Sequence, residues 1–279
     1  MGTAKKVALT VRAAELLSSF AISSVYAADD VPEASPLTVN GTVTNDYRYR
    51  GISQSNLQPA IQGGIDYAHN SGFYLGNWNS SVNWTANSAT IVAGGKNVST
   101  TVEVDFYAGY KYAWSTGFTA DIGVVQYYYP TDNPTSNPTG FLQTTNTTEI
   151  YAAQNFTFDA FTGFLKFSYA VTPLFGEPNS AGSNYTDLTI NYDTRWWGLS
   201  LNAHVGYQYV AGNLAEVRAS NNGVYSYTDW KLGVTKDFGN DLSATLSYVA
   251  TNAKNYAYVN SNGANLGRAG LMISVSKSF

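Results

Sequence analysis

The 279-residue chain has no cysteine, only two histidines and, at 12%, few charged side chains. Without cysteine there is no disulfide scaffold and no thiolate metal site. A soluble domain carries roughly 25% charged residues, so half that share points to a solvent other than water. No run of about 18 apolar residues is present, which excludes a bilayer-crossing helix. A formal net charge of −4 excludes the strongly basic surface of a nucleic-acid binder. No cofactor or metal motif occurs. Of the histidines, His69 lies beside a turn, and His204 stands four residues from Ser200 on one strand. That separation is about 13 Å, too far for a nucleophile and its base, so no enzyme is expected.

What the chain does have is aromatic and glycine-rich: 22 Tyr, 13 Phe, 6 Trp and 25 Gly. Ring side chains suit pleated strands and the headgroup boundary of a bilayer. Near the N-terminus, Lys5 and Lys6 precede the apolar stretch Leu16 to Ile22 and the small residues Val25 and Ala27, the order of a signal peptide. The reading is a signal peptide over 1–27, cleaved near Ala27, a short periplasmic lead over 28–36 and one β-barrel domain over 37–279. Losing Lys5, Lys6, Arg12 and Glu15 takes the formal net charge from −4 to −6.

From Leu37 onward the sequence alternates with period two, the signature of strands with unlike faces. In "VEVDFYAGYKYAW", Val102, Val104, Phe106, Ala108, Tyr110, Tyr112 and Trp114 share one face, and Glu103, Asp105, Tyr107, Gly109 and Lys111 the other. About twelve such runs begin near Leu37, Ala60, Phe73, Val102, Phe118, Thr148, Phe161, Tyr185, Leu199, Tyr227, Leu242 and Ala269. Each is about ten residues long, enough for a tilted strand to cross a bilayer. Short connections ("HNSG", "STG", "DAFT", "TRWWG", "GND") alternate with long ones rich in Asn, Ser, Thr, Gly and Pro. The expected fold is therefore all-β: a transmembrane antiparallel up-and-down β-barrel with short periplasmic turns and long extracellular loops. A soluble sandwich shares the periodicity, but not the low charge or the alternating connections.

The blocks "NDYRYRGISQS", "PAIQGGIDYAHNSGFYLGNW", "VEVDFYAGY", "YTDWKLGVTKDFG" and the terminal "SVSKSF" together resemble the TorF family of Gram-negative porins, over about Val39 to Phe279. The resemblance implies an outer-membrane β-barrel with a channel role and names no substrate. The final Phe279 resembles the C-terminal signal read by the outer-membrane barrel assembly machinery.

If the apolar faces meet lipid, the others line the lumen. Residues assigned there are Asp46, Arg48, Arg50, Asp66, Glu103, Asp105, Lys111, Asp121, Glu149, Lys166, Asp187, Asp193, His204, Asp229 and Lys231, with Tyr107, Tyr127, Tyr129 and Tyr151. Acids exceed bases, so a mild cation preference is expected, unless the charges pair across strands. Tyr47, Tyr49, Trp84, Tyr112 and Trp114 are assigned to the aromatic girdle. Twelve tilted strands enclose a backbone radius of roughly 12 Å, intermediate between a filled eight-stranded barrel and an open porin. The expected function is passive diffusion of ions and small hydrophilic solutes. The alternative is a non-conducting structural or adhesive barrel whose loops bind a ligand. The expected partners are outer-membrane lipids, the diffusing solutes and the assembly machinery.

Overall fold

The computed structural model describes residues 35–84, 100–130, 144–214, 219–260 and 262–279. The expected signal peptide, and all but the last two residues of the lead, lie outside them. Twelve strands form the barrel: β1 (Leu37–Thr44), β2 (Ala60–Ala68), β3 (Phe73–Ser81), β4 (Val102–Ser115), β5 (Phe118–Tyr128) and β6 (Thr147–Phe158). They continue as β7 (Phe161–Ala170), β8 (Asn184–Asp193), β9 (Leu199–Tyr209), β10 (Tyr227–Gly239), β11 (Leu242–Thr251) and β12 (Gly270–Ser278). Each strand pairs antiparallel with its sequence neighbours, and β1 pairs with β12 to close the cylinder.

The seam is held by backbone pairing and by side chains. Backbone register runs from Asn40 opposite Ser278 to Thr44 opposite Ser274. Inside, the Thr42 and Ser276 hydroxyls hydrogen-bond at 2.7 Å. At its end, the Phe279 N–H donates to the Val39 carbonyl at 2.8 Å. Closure removes the free edges that would otherwise seek another chain.

Alternation sorts the side chains. Ile61, at 71% exposure, stands with Phe106, Ile122, Leu165, Leu232 and Leu271 on an outer face of exposed apolar groups. Soluble proteins do not present so continuous an apolar surface; it is the kind of outer face that suits a bilayer. The inner face buries Gln62, Ser80, Ser168, Asn202 and Ser247. Toward the short-turn end, Trp114 stacks on Phe118 and Phe118 meets Phe158 edge-on, while Tyr112 is exposed nearby on the same outer face.

On the inner wall, tyrosines lie on glycines of the neighbouring strand: Tyr107 over Gly76, Tyr74 over Gly109, Tyr151 over Gly123 and Tyr185 over Gly206. A Cβ at any of these glycines would enter the ring above it. The missing side chains are what let the rings lie flat against the sheet and crowd the interior.

Candidate functional site

The barrel's interior is the candidate site, and its centre is a segment that leaves the wall. β1 ends at Thr44, Asn45 still bonds to Ile273 of β12, and residues 46–57 then fold inward rather than extending outside. Arg48–Tyr49 pairs with Ile52–Ser53 in a miniature ladder, turned by Arg50 at φ 48° and Gly51 at φ 78°. Two consecutive positive φ values make the tight reversal of a hairpin. A Cβ on Gly51 would run into Thr251 and Asp229 of the wall.

Asp46 organises the hairpin. Its carboxylate accepts from Arg48 Nε at 2.7 Å, Ser53 Oγ at 2.5 Å and Ser55 Oγ at 3.1 Å. Arg48 Nη1 also donates to the carbonyls of Gly51, Leu266 and Arg268, which ties the hairpin to the last long connection. Arg50 crosses the lumen. Its Nη1 and Nη2 donate to the two Glu149 oxygens at 3.0 and 2.6 Å, and Nη1 also donates to Gln208 Oε1 at 2.7 Å. The guanidinium lies between the rings of Tyr49 and Tyr185, 4.7 and 4.3 Å from their centroids.

This placement corrects three girdle assignments. Tyr47 and Tyr49 are buried in the lumen at 3% and 9% exposure, because the chain breaks from the wall before reaching them and the alternation of β1 no longer decides their direction. Tyr47 leans on Trp78 and donates to Glu103 Oε1 at 2.7 Å; Tyr49 donates to Tyr127 Oη at 2.8 Å. Trp84 follows the end of β3 and packs edge-on to Tyr129 and Phe175 instead of facing lipid. Phe175, from the connection after β7, also meets Tyr49 and Tyr127.

The other lumen-assigned side chains form two further groups. Tyr74 donates to Asp121 Oδ1 at 2.7 Å and bonds to Tyr151, Tyr107 donates to Asp66, and Lys111 and Lys166 sit 4.5 and 4.1 Å from the Tyr74 and Tyr151 ring centroids. Across the barrel, His204 places Nδ1 2.9 Å from Asp187 Oδ1 and Nε2 2.9 Å from Asp229 Oδ1. An imidazolium, a donor at both nitrogens, satisfies that arrangement. Tyr185 donates to Asp229 Oδ2 at 2.9 Å. Asp193 stands apart at a short turn, its Oδ1 accepting from the Arg195 N–H.

Sequence reasoning missed Tyr74, Trp78, Tyr185 and Phe175, while the parity of His204 had already placed Gln208 in an inward polar row, where it is buried. The first three share the parity of inward-facing neighbours and were within reach of the period-two argument; Phe175 carries no such signal. Between the hairpin and the opposite wall a cavity of about 80 Å³ remains, lined by Arg48, Arg50, Lys166, His204, Asp229 and Lys231 among others. The interior is thus a paired, aromatic-lined polar network, with room for little more than water where the hairpin sits.

Among solved structures, the chain is similar to the KdgM porin (TM-score 0.51, 8% identity, 87% of this chain and 99% of that one). It is also similar to the NanC porin (TM-score 0.51, 10% identity, 87% and 98%). At such identities the likeness is one of fold. No curated protein matches the chain by sequence. Residues 30–279 match the family described as bacterial protein of unknown function (Gcw_chp), and the chain belongs to that family.

Proposed function

We propose that the protein is an outer-membrane, porin-like channel for passive diffusion of ions and small hydrophilic solutes, narrowed at rest by the hairpin around Arg50. The observation that carries this reading is a closed twelve-stranded barrel, apolar outside, whose interior concentrates charged side chains. A wall that only had to stand in lipid has no need of so many buried ions, each costly to desolvate. The shared fold of the KdgM and NanC porins and the resemblance to TorF-family porins support the same reading. In this placement the short turns are periplasmic, residues 1–27 are the export signal, and Phe279 closes the strand presented to the assembly machinery.

Carboxylates outnumber bases on the inner face, which supports a mild preference for cations. Planar-bilayer recording of the refolded, heat-modifiable protein tests the proposal. Discrete channels with a cation-favouring reversal potential in a salt gradient are expected. Anion selectivity would overturn the preference, and silence in a folded sample would overturn the channel.

The filled lumen favours a second reading, a barrel that does not conduct and whose long loops bind a ligand. Silence of both the wild type and a variant lacking the hairpin would select it.

A further inference from the structure

Inside the barrel, nearly every carboxylate faces a cation. Asp46 pairs with Arg48, Glu149 with Arg50, and Asp187 and Asp229 with His204; Lys111 lies within electrostatic reach of Asp66 and Asp121. Glu103 and Asp105, two residues apart on the inner face of β4, differ. Among the described residues neither forms an ion pair. Glu103 accepts hydrogen bonds from the hydroxyls of Tyr47 and Tyr129. Asp105 is 0% exposed, and among the described residues neither of its oxygens has a hydrogen-bond partner. The charges that act on it are two more carboxylates, Glu103 and Glu149.

Directly opposite Asp105 in the β3–β4 register stands Trp78, buried, with its indole N–H also unpartnered among the described residues. Buried polar atoms are almost always satisfied, and an isolated buried carboxylate is among the costliest groups to leave bare. Two adjacent anions with no facing base call for positive charge, which a water molecule alone does not bring.

We propose that this wall binds a monovalent alkali cation on the Asp105 carboxylate, shared toward Glu103. The donors are all hard oxygens: two carboxylates, and the phenol oxygens of Tyr47 and Tyr129, whose protons already point at Glu103. That chemistry suits a hard ion rather than a transition metal. No group of three or more carboxylates and imidazoles capable of holding a metal occurs among the described residues, which argues against a site built for a divalent ion. The Trp78 N–H is no cation ligand; it holds a water of the ion's shell. The site belongs to the closed interior and stands whether or not the barrel conducts.

The test uses refolded full-length mature barrel in detergent, with the thermal transition followed at constant ionic strength as N-methylglucamine chloride is replaced by rubidium chloride. The transition temperature is expected to rise with rubidium, and the dependence to be lost in Asp105→Asn and weakened in Glu103→Gln. Rubidium-soaked wild-type crystals should show an anomalous peak against Asp105, a readout that survives failure of either variant to fold. A transition indifferent to rubidium, together with no anomalous peak, would overturn the proposal. An infrared band of a protonated carboxyl, present in wild type and absent in Asp105→Asn, would overturn it in favour of a bound proton. Stabilisation by calcium and not by rubidium would overturn the choice of ion.

Discussion

Arg50, at the tip of the inward hairpin, is clamped to Glu149 on β6 by two parallel hydrogen bonds, with both side chains almost wholly buried. A planar guanidinium on a carboxylate is the strongest geometry available to an ion pair, and here it joins the hairpin to the wall. Removing one partner leaves an uncompensated buried charge, a loss of about 3–5 kcal/mol. Arg50→Gln and Glu149→Gln should each lower the heat-modifiability transition, and the double variant should lose less than the two combined. Both single variants should also raise single-channel conductance. Lowered stability with unchanged conductance would make the clamp purely structural.

The hairpin itself is the larger obstruction. It contributes Tyr47, Tyr49 and Arg50 to the lumen, while the wall behind it is already closed by continuous pairing of β1 with β2 and β12. Replacing residues 47–54 with two glycines should therefore leave the barrel intact and widen the path. Liposome swelling should then admit sugars that the wild type excludes. An unchanged size limit in two proteins that both conduct would show that the connection carrying Phe175, rather than the hairpin, sets it.

Most of the barrel was legible because its physics is local. Each strand writes its two solvents into alternate residues, and the observed starts fall within one residue of those expected, as at Thr147, Asn184 and Gly270. The plug was not legible for the same reason. Tyr47, Arg48, Tyr49 and Arg50 continue an alternation that looks like more of β1, yet the wall ends at Thr44. What turns the chain inward is tertiary: Asp46 gathering Arg48, Ser53 and Ser55, and Arg50 finding Glu149 about a hundred residues away. Gly51 did mark a reversal, but a glycine states that the chain turns and not toward which side. Phe175 reaches the lumen from a connection whose sequence carries no period at all.

Gly123 tests the fit of tyrosine on glycine. A Cβ there would lie 2.6 Å from Tyr151 Cζ and 2.7 Å from the Ala108 carbonyl oxygen, and the backbone on that side cannot yield. Gly123→Ala should displace the Tyr151 ring, which bonds to Tyr74 and carries Lys166 on its face. Overpacking of this kind costs about 1–3 kcal/mol. The same substitution at Gly41, also within a strand and without a positive φ, where a Cβ meets only the Gln62 carbonyl oxygen at 3.9 Å, supplies a control free of overpacking. Equal losses at both positions would remove the steric argument.

At the long-loop end, Glu177 sits against Tyr225, the last residue of a short helix (Asn221–Tyr225), and accepts its hydroxyl. Asn221 on that helix donates to the carbonyls of Pro178 and Ala211 at 2.8 and 2.7 Å, so the two connections are latched at this point. Burial outweighs the hydrogen bond and pushes the Glu177 carboxyl from 4.5 up to about 7. Burial also pushes the Tyr225 hydroxyl up to about 12, so the phenol stays neutral and able to donate throughout. A folded-state value above the unfolded one means that the native loops hold the proton more tightly. Their extra stability is complete below about pH 4.5 and is lost as pH rises through about 7. Amide exchange in residues 171–183 should therefore quicken between about pH 5 and about pH 8 beyond its intrinsic pH dependence, with the barrel strands unaffected. Glu177→Gln, which stays neutral, should abolish that excess and keep the loops latched at the higher pH. An excess that persists in the variant would place the titrating group elsewhere.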